Sequence, residues 1–171
     1  MKKTLRLAAA LASLALVLPA AAQERRTLGI GASINPEAAL SPTIEIYVPI
    51  NLGKLRLEPS IGIFTTDAES RNAISDVTLG IGGFYVMPLA ASADMYAGGR
   101  LKLNFASWDD GVNDDSDTDF LLAGALGGEY YLVPQLSLGV EAQLGFYQRG
   151  DVSGDDSGLF TTGLGFLRFY F

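Results

Sequence analysis

The C-terminal stretch Leu159-Phe-Thr-Thr-Gly-Leu-Gly-Phe-Leu-Arg-Phe-Tyr-Phe171 alternates in character with a period of two. In an extended chain successive side chains point to opposite faces, so Leu167 and Phe169 share one face and Arg168 lies on the other. The sequence stops on an aromatic residue, whereas the termini of soluble proteins are usually polar and frayed. Such a strand suits a membrane–water interface, where aromatic rings are enriched. A terminal strand packed into a soluble sheet is the alternative.

The first 22 residues have the features of a secretory signal peptide. A basic start precedes the apolar run Leu7–Leu18, and small residues follow up to Ala22. The run is shorter than the roughly 20 residues that a transmembrane helix needs, and no cysteine is present for lipid attachment. We therefore predict a signal peptide at residues 1–22, cleaved before Gln23, and a β-barrel domain at residues 23–171.

The remaining 149 residues have the size of one domain and are strongly acidic. Loss of the three cations of the signal peptide takes the net charge from −7 to about −10. This acidity argues against a nucleic-acid partner, because phosphate binding needs clusters of Lys and Arg. The mean hydropathy is nevertheless positive, at +0.25. An apolar chain without a second helix-length apolar run is typical of a barrel whose outer face meets lipid.

From Arg26 onward, segments with period-two alternation are separated by turn residues. They predict eight strands, at about 26–34, 43–50, 54–66, 75–87, 94–106, 118–133, 136–148 and 159–171. The connections after the odd-numbered strands are longer and mostly acidic. Those after the even-numbered strands are short and follow an aromatic residue and a proline, as in Tyr47-Val-Pro49, Tyr85-Val-Met-Pro88 and Tyr131-Leu-Val-Pro134. This pattern indicates an up-and-down meander with short turns at one end and loops at the other.

The two faces of the predicted strands differ sharply in chemistry. One is almost purely Leu, Ile, Val, Phe, Ala and Gly, and the other carries the charges. Alternation alone does not separate a soluble barrel of lipocalin type, with its apolar face inside, from a membrane barrel of inverted polarity. The signal peptide, the aromatic strand ends and the strand lengths favour the membrane barrel, which must close to pair its backbone in lipid. The predicted fold class is an all-β, eight-stranded antiparallel up-and-down transmembrane β-barrel.

The mature chain resembles the small eight-stranded outer-membrane barrels of Gram-negative bacteria, the OmpA/OmpX type. The resemblance rests on the period-two strands, on Gly128-Glu-Tyr-Tyr-Leu132 before a proline turn, and on Phe169-Tyr170-Phe171. It implies export through the general secretion route to the outer membrane, with membrane lipid and lipopolysaccharide as surroundings. It also implies that the barrel-assembly machinery reads the terminal aromatic residues. We expect a monomer, with no periplasmic domain after the barrel.

Charged residues on the inward face are expected to pair. Eight strands enclose a lumen only wide enough for side chains, and buried charges without partners are costly. The predicted lumen network consists of Glu45, Arg56, Glu58, Arg100, Lys102, Glu129, Glu141 and Arg168. Asp76 and Asp119 lie on the same face. A narrow ion path that opens by exchange between pairs is the alternative to a plugged lumen.

Two acidic connections, 107–117 and 149–158, are candidates for cation binding. Their carboxylates are those of Asp109, Asp110, Asp114, Asp115, Asp117, Asp155 and Asp156. The spacing is not that of a calcium-binding EF-hand loop. The alternatives are a solvated acidic loop or divalent cations shared with lipopolysaccharide phosphates. Arg149-Gly-Asp151 spells a cell-adhesion tripeptide, but such a short match recurs by chance in a Gly/Asp-rich loop.

No catalytic site is expected. Some barrels of this size are lipid A-modifying enzymes that resemble His/Ser catalysts, but this chain contains neither His nor Cys. A Ser–His or Cys–His nucleophile therefore cannot be assembled. We predict no enzymatic activity, cofactor or metal centre. Two functional hypotheses remain: a structural or surface-interaction barrel, and a narrow porin-like channel for ions or small solutes.

Overall fold

The computed structural model describes residues 27–34, 44–66, 73–109 and 114–171. The predicted signal peptide lies outside these ranges. The strands are β1 (Gly29–Ile34), β2 (Ile44–Tyr47), β3 (Ile50–Leu52), β4 (Leu55–Thr66), β5 (Ala73–Ala90), β6 (Ala93–Asp109), β7 (Asp114–Val133), β8 (Leu136–Gln148) and β9 (Ser157–Tyr170). A short 3₁₀ turn, Asp151–Ser153, lies between β8 and β9. Within the described ranges, no helix is long and apolar enough to cross a membrane.

The described strands form a single antiparallel sheet that closes on itself. Its order is β2-β1-β9-β8-β7-β6-β5-β4-β3, and β2 also pairs with β4. β9 pairs with β1 on one side and with β8 on the other, which closes the barrel. The predicted all-β, eight-stranded antiparallel barrel is confirmed.

Pro49 divides the second barrel strand into β2 and β3 without disturbing its register. The bridge between Leu28 and Ile50 continues the register of β1 with β2. Proline has no N–H to donate, but the Pro49 carbonyl accepts the Gly29 N–H at 3.1 Å. Nine segments therefore make eight barrel strands.

At the end of the barrel with short connections, here called the turn end, two predicted turns are displaced. The turn predicted at 51–53 is formed by Gly53 and Lys54, and the φ of Gly53 is +70°. A positive φ at the first central position is what a type II′ hairpin turn requires. The turn predicted at 88–93 is confined to 91–92, because a register shift after Pro88 lets β5 continue to Ala90.

At the opposite end, here called the loop end, the strands extend into the predicted acidic loop. β6 and β7 pair as far as Asp109 and Asp114, so most of the loop predicted at 107–117 is strand. Ladder pairing with β6 overrides the low strand propensity of Asp in this segment. β8 pairs with β7 only from Phe120. Residues 104–109 and 114–119 therefore form an extension of β6 and β7 beyond β8.

Burial alternates along the strands with the predicted polarity. Arg168 is 0% exposed, whereas its neighbours Leu167 and Phe169 are 52% and 49% exposed. The inward face holds the charges, and the outward face carries exposed Leu, Ile, Val and Phe side chains on β1 to β9. This inverted polarity is that of a membrane barrel.

Aromatic rings in the lumen lie directly against glycines of the barrel wall. A Cβ atom at Gly127 would overlap the Tyr96 ring, and one at Gly31 would overlap the Tyr47 ring. The missing side chains give these rings room beside the backbone. Glycine is therefore required at these two positions for packing rather than for its φ angle.

We expect Gly127→Ala to lower the free energy of unfolding by about 1–3 kcal/mol, because the added methyl group forces Tyr96 out of its packed position. Gly128→Ala is the matched control, since a Cβ there meets nothing within 4 Å. Urea unfolding of the refolded barrel in lipid vesicles measures both variants. Equal stabilities would contradict the packing role of Gly127.

Candidate functional site

The centre of the lumen holds three arginines and three glutamates whose formal charges cancel. They come from five strands: Arg56 and Glu58 on β4, Arg100 on β6, Glu129 on β7, Glu141 on β8 and Arg168 on β9. All six are sealed from solvent, with Arg100 the most exposed at 6% of its side chain. The structure brings these six predicted residues together as the central network.

Arg168 joins two glutamates on opposite parts of the wall. Its Nη2 donates to Glu58 Oε1 at 2.6 Å, and its Nη1 donates to Glu129 Oε2 at 2.9 Å. Arg56 Nη1 donates to the same Glu129 oxygen at 2.7 Å, and Arg100 Nη2 donates to Glu58 Oε2 at 2.9 Å. Each of these two carboxylates is thus shared between two guanidinium groups, so the central network is continuous.

Glu141 is held by one arginine and two neutral donors. Arg100 donates to it through Nε and Nη2, both at 2.7 Å. Tyr96 Oη donates at 2.8 Å and Gln143 Nε2 at 2.7 Å. The forked, charge-assisted contact fixes the Arg100 geometry.

Hydroxyl groups complete the coordination of Glu129. Ser137 Oγ donates at 2.5 Å and Tyr170 Oη at 2.8 Å. Tyr170 therefore points into the lumen, whereas Phe169 and Phe171 are exposed. The three residues of the predicted assembly signal thus occupy both faces of the closing strand.

Aromatic rings cover the guanidinium groups. Arg168 lies 4.0 Å from the centroid of Phe166, and Arg100 lies 4.8 Å from that of Phe84. Such desolvated cation–π contacts add to the ion pairs. The rings also fill the space that the charged groups leave, so the lumen is packed at this level.

The other two predicted network members pair with each other. Lys102 Nζ lies 2.5 Å from Glu45 Oε2, and Ser60 Oγ donates to Glu45 Oε1 at 2.6 Å. Both charged side chains are slightly more exposed than the central ones. Glu45 and Lys102 form a second, peripheral pair.

A separate polar layer lies closer to the loop end. Asn104 Nδ2 donates to Asp119 Oδ2 at 3.0 Å and contacts Asp76 Oδ1 at 3.4 Å. Thr78 Oγ1 donates to Asn104 Oδ1 at 2.8 Å. We call Asp76, Thr78, Asn104 and Asp119 the Asn104 layer; all four are buried.

Sequence reasoning missed the neutral partners of the carboxylates. All of these partners lie on the inward face, namely Tyr96, Ser137, Gln143 and Tyr170. The alternation of side chains along each strand was therefore the signal that could have found them. The same alternation places Asp94 on the inward face, where its buried carboxylate accepts a hydrogen bond from Tyr131 Oη at 3.1 Å.

The candidate cation-binding carboxylates do not converge in the described part of the chain. Asp117 accepts the Asp151 N–H at 2.7 Å, and Asp156 accepts from Tyr147 Oη at 3.2 Å. No group of three or more Asp, Glu, His or Cys residues in the described ranges is arranged to hold a metal ion. Asp110 and the side chains of Asp109 and Asp114 lie outside what the structure describes, and cation binding stays a prediction.

The barrel is similar to two solved structures. Neisserial surface protein A (NspA) aligns with a TM-score of 0.59 and 18% identity, over 84% of this chain and 96% of NspA. The chain shares the closed β-barrel fold of NspA. The second is Ail, the attachment invasion locus protein of Yersinia pestis, solved in complex with the heparin analogue sucrose octasulfate. It aligns with a TM-score of 0.52 and 12% identity, over 83% of this chain and 95% of Ail. No family model and no curated protein matches the sequence of the barrel.

We expect Glu129→Gln to lower the free energy of unfolding by about 3–5 kcal/mol, because Arg56 and Arg168 would lose a shared buried counter-charge. Asp155→Asn, at an exposed position near the loop end, should change it by less than about 0.5 kcal/mol. Urea unfolding in vesicles compares the two variants. A loss for Glu129→Gln no larger than that for Asp155→Asn would show that the central network is not stabilising.

Proposed function

We propose that this chain is an integral outer-membrane protein of a Gram-negative bacterium, acting in membrane structure or surface interaction rather than in solute passage. The observation that carries the proposal is the filled lumen. Arg56, Glu58 and Arg168 are completely buried and mutually paired. An ion crossing this level would have to displace paired, desolvated charges, which opposes conduction.

The outward face supports lipid as the main partner. Its exposed side chains are those that a bilayer accepts, and the aromatic Phe169 and Phe171 lie at the turn end. We propose that these two rings, with Tyr170, present the closing strand to the barrel-assembly machinery after export through the general secretion route. Contact with lipid accounts for the apolar surface, so we propose a monomer.

The loop end supports an acidic interaction surface. Exposed carboxylates there include those of Asp115, Asp151 and Asp155. Among the described residues, Arg149 is the one cation at this end, and it lies 3.6 Å from Asp156. The sulfated ligand in the Ail structure is a polyanion, which this surface would repel. We propose instead divalent cations, shared with lipopolysaccharide phosphates or with an anionic environmental surface.

A narrow porin-like channel for ions or small solutes is the alternative. It requires the Glu–Arg pairs to exchange partners so that a continuous path opens. Planar-bilayer recordings separate the two proposals, and we expect no steady single-channel openings from the wild-type barrel. Steady openings that Glu129→Gln or Arg100→Gln abolishes would support the channel and contradict the closed lumen.

The membrane assignment has a separate test. A closed membrane barrel should show heat-modifiable migration in detergent gels, because its hydrogen-bonded wall resists unfolding until the sample is heated. We also expect the protein in the outer-membrane fraction, released only by detergent. Recovery from the periplasm without detergent would contradict a membrane location.

A further inference from the structure

The connection between β8 and β9 is an ordered turn. The Arg149 N–H donates to the Asp156 carbonyl at 2.8 Å, which closes its base, and the Asp155 N–H donates to the Gly150 carbonyl at 2.9 Å. The 3₁₀ turn of Asp151–Ser153 lies between these contacts. We call residues 150–156 the mouth turn.

Two carboxylates of β7 hold the mouth turn. Asp119 accepts the Gly150 N–H and the Ser153 hydroxyl, both at 2.9 Å. Asp117 accepts the Asp151 N–H at 2.7 Å. Both carboxylates belong to the inward face of β7, because they are an even number of residues from buried Ala123 and Ala125. The mouth turn therefore lies on the inward side of β7, over the loop end of the lumen.

The 3₁₀ turn is only partly covered by the barrel. None of the residues Asp151–Ser153 is fully buried, and Val152 is half-buried. The ion pair between Arg149 and Asp156 is 31% and 46% exposed, and exposed pairs of this kind contribute little. Gly154 adopts a φ of +116°, in the region that favours glycine. Hydrogen bonds to Asp117 and Asp119 join the turn to β7.

The Asn104 layer lies on the inward face next to these contacts, and Asp119 belongs to both. If the mouth turn swung outward, Asp119 would lose two of its donors and water could reach Asn104 and Asp76. The central network lies farther toward the turn end and would still close the lumen. Opening at the mouth and conduction through the barrel are therefore separate properties.

We propose that the mouth turn is a lid, latched by Asp117 and Asp119, that controls access of water and ions to the Asn104 layer. This inference goes beyond the proposed function, since it concerns movement at the mouth rather than the role of the whole barrel. The lid is closed when both carboxylates accept the backbone N–H groups of residues 150 and 151.

Substitution by asparagine should release the latch. Both oxygens of Asp117 are occupied, one by the Thr118 N–H at 2.6 Å and the other by the Asp151 N–H. Both oxygens of Asp119 also accept hydrogen bonds, one from the Gly150 N–H and the other from the Ser153 hydroxyl and the Asn104 amide. An amide at either position would set an N–H donor against one of these donors, so Asp117→Asn/Asp119→Asn should favour the open lid.

Gly150 offers an independent way to open the lid. A Cβ atom there would overlap the Asp117 carboxylate. The φ of Gly150 is −85°, which any residue adopts without strain. Gly150→Ala should therefore push the Asp117 carboxylate away from the turn by steric overlap, which releases that half of the latch while all charges remain.

Thiol accessibility measures the lid directly, because the chain has no cysteine and Ala106→Cys introduces a single one. Ala106 faces inward, pairs with Asp117 and is 4% exposed. In refolded barrels treated with a cationic methanethiosulfonate, we expect Ala106→Cys to react slowly. Adding Asp117→Asn/Asp119→Asn, or Gly150→Ala, should raise the rate at least about tenfold, the factor that corresponds to about 1.4 kcal/mol.

Asp115→Asn is the matched control, because this carboxylate contacts the Ser116 N–H of its own strand and not the turn. It should leave the Ala106→Cys rate unchanged. Ser107→Cys, on the exposed outward face, gives the rate of an unprotected thiol. Heat-modifiable migration identifies the folded samples. If the double variant does not fold, the rate measured with Gly150→Ala tests the lid by itself. Two results would contradict the lid proposal. One is an equal labelling rate of Ala106→Cys in the Gly150→Ala and Asp115→Asn backgrounds, and the other is a labelling rate of Ala106→Cys equal to that of Ser107→Cys.

Discussion

Six charges sealed inside a narrow lumen must neutralise one another, and much of the remaining structure follows from that requirement. Three guanidinium groups are shared among three carboxylates, so removing any one leaves a buried charge without a full set of partners. The hydroxyls of Tyr96, Ser137 and Tyr170 supply the donors that the arginines do not. Rings stack on the guanidinium groups, and wall glycines leave room for the rings. Charge pairing, aromatic packing and glycine placement are therefore one arrangement.

The barrel could be predicted from the sequence because alternation is a local property. Period two specifies which side chains face inward, and β8 was predicted with the bounds it has, Leu136–Gln148. Several strand ends were wrong because a ladder continues as long as its neighbour offers partners. Asp109 and Asp114 pair across β6 and β7 although aspartate disfavours strands. Pro88 stays within β5 because a register shift accommodates it.

The alternation of side chains along each strand also identified the charged residues of the lumen, but it does not predict which of them pair. That choice depends on the stagger of the strands around the barrel, which sets the height of each side chain. Arg168 meets Glu58 across 110 positions of sequence, and Lys102 meets Glu45 rather than the central network. The acidic segment 107–117 is predicted to be a loop, yet Asp117 accepts the backbone N–H of Asp151 in another connection. Only the three-dimensional path of that connection reveals this.

The barrel closes through β1, whose described residues Gly29–Ile34 pair with β9. Arg168, on the strand that pairs with β1, reaches across the lumen and links β9 to β4 and β7 through ion pairs. In a sheet that had not closed, β4 would be the fifth strand from β9, so Arg168 would lack Glu58 as a partner. The pairing of Arg168 with Glu58 therefore requires the closed barrel, so this buried ion pair favours the closed sheet over an open one.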